Sequence, residues 1–194
     1  MMTKMLGHSP TSNSMAEFTD KSVLRQYAKA LRSDLPIEIY SRTICDKLKN
    51  STFYKEAKNI LIYSSFSSEI STKLILQDKE KCFYLPKVNG KELDICPFSE
   101  KNSLNKFGIE EPDTEPIRDL SIIELAIIPA LCADKNGYRL GYGKGYYDRL
   151  LPKLNTNCKK VIIIPSELFF DEIPHDNFDI RCNVIITQRN IIFI

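Results

Sequence analysis

Short, unbroken apolar runs separated by helical patterns constrain this chain more than any other feature. Ile60 to Tyr63, Leu125 to Ile128, Val161 to Ile164 and Val184 to Ile186 lack the polar alternation of a half-exposed strand. A strand with no polar side has to be covered on both faces. Cys82 to Leu85, which Pro86 should stop, Leu93 to Cys96, and Asn190 to Phe193 read as further strands. Asp20 is placed to cap a helix with Val23, Leu24, Tyr27, Ala28, Leu31 and Leu35 at helical spacing. Pro36 suits the start of a second helix, with Ile37, Tyr40, Ile44 and Leu48 on one face. Ser71 or Thr72 caps a third, carrying Leu74, Ile75 and Leu76, and another opens near Gly145 and runs to about Leu154. Asn136-Gly137 signals a tight turn, and Asn102 to Asp119 reads as a long ordered loop.

Strands alternating with helices predict an α/β fold. The expected form is a single domain over residues 19–194, with a mostly parallel sheet and helices on both faces, an open three-layer sandwich. Ligands in such folds bind beyond the carboxyl ends of the strands. Residues 1–18 are polar and without periodicity, and read as a mobile N-terminal tail.

The balance of charge narrows the function. A net charge of +2 in 194 residues, with no basic arm, argues against nucleic acid as a partner. No apolar run is long enough to span a bilayer, and Met1 to Ser14 lack the apolar segment of a secretory leader. The six cysteines form no CxxC pair and no zinc spacing to a histidine, so they read as small buried core residues of a cytoplasmic protein.

The chemistry concentrates in Gly137 to Arg149, which holds four of the seven glycines. Gly141, Gly143 and Gly145 before a helix form a cradle in which backbone N–H groups can meet phosphate oxygens. Arg139 and Lys144 add positive charge on flexible arms, and Asp148 in the helix's first turn could hold Mg²⁺ beside those phosphates. The same residues can also be read as a tight turn with a carboxylate favouring the helix dipole. A P-loop needs Ser or Thr after the lysine, but Gly145 follows Lys144. The dinucleotide pattern GxGxxG is replaced by GxGxG, although Glu167 mimics a ribose-binding acid.

Ile128-Pro129-Ala130-Leu131, then Asp134, Gly137 and the run RLGYGKGYYDRL, resemble the signature of the 5-formyltetrahydrofolate cyclo-ligases. Lys21-Ser22-Val23-Leu24-Arg25, Tyr63 to Thr72 with Glu69 inside, Phe107 to Pro112, and Pro174 with Asp179 resemble further family elements. The likeness spans roughly residues 20 to 190. It implies the family's single α/β domain and a set of site residues. Lys21, Ser22, Val23, Leu24 and Arg25, with Arg139, Leu140, Gly141, Tyr142, Gly143, Lys144, Gly145, Tyr146 and Tyr147, would bind ATP. Asp148 and Asp179 would hold Mg²⁺. Glu69, Ser64, Phe107 and Tyr146 would contact a reduced folate, with or without a polyglutamate tail. Lys144, Arg139 and Tyr146 would act in catalysis. Cys132, Ala133, Asn183 and Gln188 depart from the family pattern.

The implied reaction belongs to one-carbon metabolism. ATP phosphorylates the formyl oxygen of 5-formyltetrahydrofolate, giving an iminium phosphate. N10 then closes the ring to 5,10-methenyltetrahydrofolate, and ADP and phosphate are released. The expected working unit is a monomer. Two other readings stay open on the residues alone. Gly141, Gly143, Gly145 and Glu167 suit a nicotinamide-dependent reductase, and the same loop suits a non-catalytic nucleotide-binding module.

Overall fold

The computed structural model describes residues 20–99, 102–104 and 110–194; the expected tail over 1–18 and Phe107 lie outside the described residues. The chain runs α1 (Lys21–Ser33), α2 (Ile37–Asn50), α3 (Thr52–Glu56), β1 (Asn59–Leu61), α4 (Lys73–Leu76), β2 (Cys82–Asn89) and β3 (Glu92–Pro97). β4 (Asn102–Leu104), β5 (Glu110–Pro112), β6 (Leu125–Ile128), β7 (Cys132–Asp134) and β8 (Arg139–Leu140) follow. Then come α5 (Tyr146–Leu150), β9 (Lys159–Ile163), β10 (Phe169–Phe170), β11 (Val184–Ile186) and β12 (Ile191–Phe193).

The main sheet has the order β12-β11-β9-β6-β1-β2-β3. Its five inner strands are parallel, and β3 and β12 pair antiparallel at the two edges. Each apolar run sits in an inner strand with both faces covered. On one face Ile60, Ile62, Leu125, Ile127, Val161, Ile163, Val184 and Ile186 meet α2, α3 and α4 through Ile44, Leu48, Phe53, Tyr54 and Ile75. On the other, Leu61, Ala126, Ile128, Ile162 and Ile185 meet Leu150, Leu151 and Leu154, at and after the end of α5. Each such side chain contributes roughly 1.5–3 kcal/mol on leaving water. Among the described residues no helix is long and apolar enough to cross a membrane.

The helix α1 stands apart from the main sheet. Its Leu24 and Ala28 pack on a small sheet of order β10-β7-β8, against Leu131, Cys132, Leu140, Leu168 and Phe170. Asp20 caps it as expected, accepting from the N–H groups of Ser22 and Val23. The buried face differs from the expected one: Leu24, Ala28 and Arg32 point inward, while Val23 and Tyr27 are exposed.

Several boundaries also differ. β2 runs through Pro86 to Asn89, because β1 stops at Leu61 and leaves the flank of β2 beyond Leu85 without a partner strand. Proline there breaks no ladder bond. The expected loop over 102–119 contains the β4–β5 pair. The helix expected to reach Leu154 ends at Leu150 and tightens into a 3₁₀ turn over Leu151–Lys153, with Pro152 inside it. Thr72 stands at the N-cap of α4 but makes no cap hydrogen bond; its buried hydroxyl donates to the Tyr63 carbonyl at 2.9 Å. Asn136-Gly137 makes the expected turn, closed by the Gly137 N–H on the Asp134 carbonyl.

Candidate active site

The chain leaves β1 for β2 on one side and later returns to β6 on the other. The crevice at the carboxyl ends of β1 and β6 is therefore the switch point at which such sheets take ligands. A cavity of about 690 Å³ opens there, within the usual range for small-molecule sites. Tyr63 and Ser64 after β1, and Pro129 after β6, line it. The glycine segment from Arg139 to Arg149 forms one wall, α1 supplies Lys21 and Arg25, and Asp176, Phe178 and Asp179 complete the charged side. Pro86, Val88 and Leu93 of the β2–β3 hairpin form an apolar wall.

The glycine segment is fastened on both sides. Arg25 Nε donates to the Gly141 carbonyl at 2.9 Å. Gly143 adopts φ +93°, and a Cβ there would lie 3.3 Å from Arg25 Cζ. The loop and α1 approach so closely because that residue has no side chain. Lys29 covers the Tyr142 ring at 5.4 Å. On the far side Arg149 donates to the Lys91 and Lys144 carbonyls, bolting α5 to the β2–β3 turn.

Three ion pairs organise the charged wall. Lys21 Nζ donates to Asp176 at 2.6 Å and Asp179 at 2.5 Å. Burial pushes the Asp179 carboxyl up, but the Lys21 ammonium and the Asp176 N–H outweigh it and hold it below the usual range. Arg139 donates to Asp148 at 2.7 Å and to the Ile180 carbonyl at 2.9 Å. Arg139 is thus a buried, fixed group rather than the flexible arm expected from the sequence. Lys144 has no hydrogen bond or ion pair through its ammonium among the described residues, and is free to meet an anion.

The two expected metal ligands share this cavity. Asp148 Oδ2 and Asp179 Oδ1 accept no hydrogen bond among the described residues, and no group of three or more His, Cys, Asp or Glu suited to a metal occurs there. That donor set fits Mg²⁺, which takes one or two carboxylates and completes its shell with phosphate oxygens and water.

Glu69 lies in the turn before α4 and is 8% exposed. Its carboxylate accepts from the Phe66 N–H at 3.0 Å. Burial raises its titration, against the Phe66 N–H and the nearby Arg32. Tyr142 has a half-exposed ring, and burial pushes its phenol up to about 12, with Glu69 and Arg32 both acting on it.

Lys21, Arg25, Arg139 to Tyr147, Glu69, Ser64, Asp148 and Asp179 thus line one cavity. Ser22, Val23 and Leu24 do not: Ser22 and Val23 face outward, and Leu24 is core. Arg32 was missed. It is 2% exposed, and Nη2 donates to the Ala130 and Leu131 carbonyls at 2.5 and 2.7 Å. Its signal was position, since it follows Leu24 and Ala28 at spacing four. Glu111 and the hairpin wall also escaped notice. Glu111 lines the cavity and accepts from the Val88 N–H at 3.0 Å.

The nicotinamide reading loses its ribose acid. Glu167 accepts from Tyr40 and Gln188, each at 2.9 Å, and is not among the cavity residues. Gln188 also accepts from the Ser166 N–H, and Asn183 Oδ1 accepts from the Lys160 N–H, so both departures serve the joints between strands. Cys132 and Ala133 are buried in β7.

The model of the 5-formyltetrahydrofolate cyclo-ligase family matches residues 18–188. The chain belongs to that family. A probable 5-formyltetrahydrofolate cyclo-ligase of Schizosaccharomyces pombe is 27% identical over 186 residues, covering 82% of this chain and 89% of that protein. The cyclo-ligase of Haemophilus influenzae is 32% identical over 137 residues, 58% of this chain and 71% of that protein. The NMR structure of Aquifex aeolicus 5,10-methenyltetrahydrofolate synthetase matches with a TM-score of 0.79 and 31% identity, covering 89% of this chain and 92% of that one. The glycine segment, whose sequence resembles the cyclo-ligase signature, lies on the wall of this cavity.

Proposed function

We propose that this chain converts 5-formyltetrahydrofolate to 5,10-methenyltetrahydrofolate at the expense of ATP, with release of ADP and phosphate. One observation carries the reading. The glycine segment, the cations of α1, two carboxylates and Glu69 come from distant parts of the chain and line one cavity at the switch point of the sheet.

The N5-formyl group is an amide whose carbon resists attack by N10. Moving the γ-phosphoryl group to the formyl oxygen gives an iminium phosphate with a good leaving group. N10 then closes the ring. The protein's part is positioning and charge neutralisation. The Gly141–Gly145 backbone and Lys144 cradle the triphosphate, while Lys21, Arg25 and Arg139 offset charge as it develops. Removing one such donor raises the barrier by about 3 kcal/mol. Asp148 and Asp179 would hold Mg²⁺ together with phosphate oxygens, and the ion would supply further neutralisation. Ser64, Glu69 and Tyr146 hold the folate against the apolar hairpin wall.

The test mixes protein, Mg·ATP and 5-formyltetrahydrofolate. Growth of the methenyl chromophore with equimolar ADP supports the proposal. ATP bound but uncleaved, with no chromophore, leaves a nucleotide-binding module instead.

A further inference from the structure

Phe178 lines the cavity and yet is 75% exposed. Its ring belongs to none of the three apolar clusters among the described residues. An exposed phenylalanine is ordinary by itself; the way this one is mounted is not. It sits in a four-residue turn, Asp176 to Asp179, closed by the Asp179 N–H on the Asp176 carbonyl at 3.1 Å. The Asp176 N–H donates to the Asp179 carboxylate at 2.7 Å, and Lys21 bridges the two carboxylates. The turn is fixed, while the ring it carries serves no core.

The same turn is fastened to the glycine segment twice. Just after it, the Ile180 carbonyl accepts from Arg139, which lies within that segment, at 2.9 Å. One helical turn beyond Lys21, Arg25 donates to the Gly141 carbonyl at 2.9 Å. The ring therefore borders the phosphate side of the cavity. The cavity's other exposed aromatic side chains are placed differently. Phe66 lies in the turn that Glu69 closes, and Tyr142 lies inside the glycine cradle with Lys29 over its ring.

A triphosphate in the glycine cradle leaves the base of the nucleotide still to be held. A purine has two broad faces and no charge, so groups that bind phosphate do nothing for it. Resting on the cyclo-ligase reading above, we propose that the Phe178 ring stacks on the adenine base of ATP. Stacking removes one face of the ring and one face of the base from water together. The turn is already ordered, so the contact costs little conformational freedom. A nucleotide held at both ends, by base and by phosphates, has fewer ways to present its γ-phosphorus to the folate.

The test compares Phe178→Ala and Phe178→Tyr with wild type. Calorimetry should show Mg·ADP binding weakened on the order of tenfold in Phe178→Ala and restored in Phe178→Tyr, which keeps the aromatic face. The KM for ATP should rise by a like factor in Phe178→Ala. Binding of 5-formyltetrahydrofolate should not change, and neither should the Tm of the unliganded protein, because the ring has no core partner. Tripolyphosphate, which has phosphates and no base, should inhibit wild type and Phe178→Ala equally. Unchanged ADP binding in Phe178→Ala overturns the proposal, as does a loss confined to folate. Weaker inhibition of Phe178→Ala by tripolyphosphate also overturns it, because the ring would then act through the phosphate cradle. If wild type itself binds no ADP, the ATP reading fails first and takes this proposal with it.

Discussion

Arg32 and Glu124 owe their roles to backbone groups far away in the sequence. Arg32 holds the Ala130 and Leu131 carbonyls just after β6, where the cavity begins. Glu124 precedes β6 and accepts from the N–H groups of Lys58 and Asn59, each at 2.7 Å, so it closes the amino end of β1. The Asn59 N–H, opposed by partial burial and helped by the Lys58 N–H, holds the Glu124 carboxyl below its ordinary 4.5. A depressed value in the folded state means that folding favours the ionised form. The stabilisation is therefore full above about pH 4.5 and is lost as pH falls through the lower, folded value. Glu124→Gln should cost about 1 kcal/mol at neutral pH, read from urea midpoints, and the gap should narrow progressively as the pH falls below about 4.5. A gap unchanged in acid would show that charge plays no part. From sequence, Asp20 was legible as a cap because its partners are two and three residues on. Arg32 and Glu124 were not, because their partners are backbone groups 65 to 99 residues away.

The glycine segment shows the same division within one element. That its glycines, cations and carboxylate belong to one cavity wall was legible because they are consecutive residues. Its anchoring by Arg25 was not. Gly137, at the segment's start, has φ +87°, and a Cβ there would fall 2.6 Å from the backbone oxygen of Cys182. The same two residues share a hydrogen bond from the Cys182 N–H to the Gly137 carbonyl at 2.9 Å. Neither backbone can retreat without breaking that bond. Gly137→Ala should destabilise the protein by at least about 2 kcal/mol, measured by chemical unfolding. A loss within about 0.5 kcal/mol would mean that the turn adapts. β2 illustrates a misread signal: Pro86 looks like a stop until the neighbouring strand is known to end first.

The cysteines test the packing of the fold as a body. All six are free thiols. Cys45, Cys96, Cys132, Cys158 and Cys182 are buried as the sequence suggested, and burial pushes Cys45, Cys158 and Cys182 up to about 11 and Cys132 up to about 12. Cys82, on β2, is exposed against that expectation. A maleimide should therefore label native protein at Cys82 alone, and label the other thiols only on unfolding. Fast reaction at a second site, read by mass spectrometry, would mean that the sheet opens locally.

Apolar runs and helical periods are properties of neighbouring residues. They sufficed to announce a mostly parallel sheet with both faces covered, and the glycine segment pointed to the loop that lines the cavity. The order in which strands pair, and hence which loops meet at the crevice, depends on contacts between residues far apart. No local pattern encodes those contacts. That is why Lys21 meeting Asp179, α1 resting on the small sheet, and the hairpin wall facing Glu69's cavity emerged only from the assembled chain.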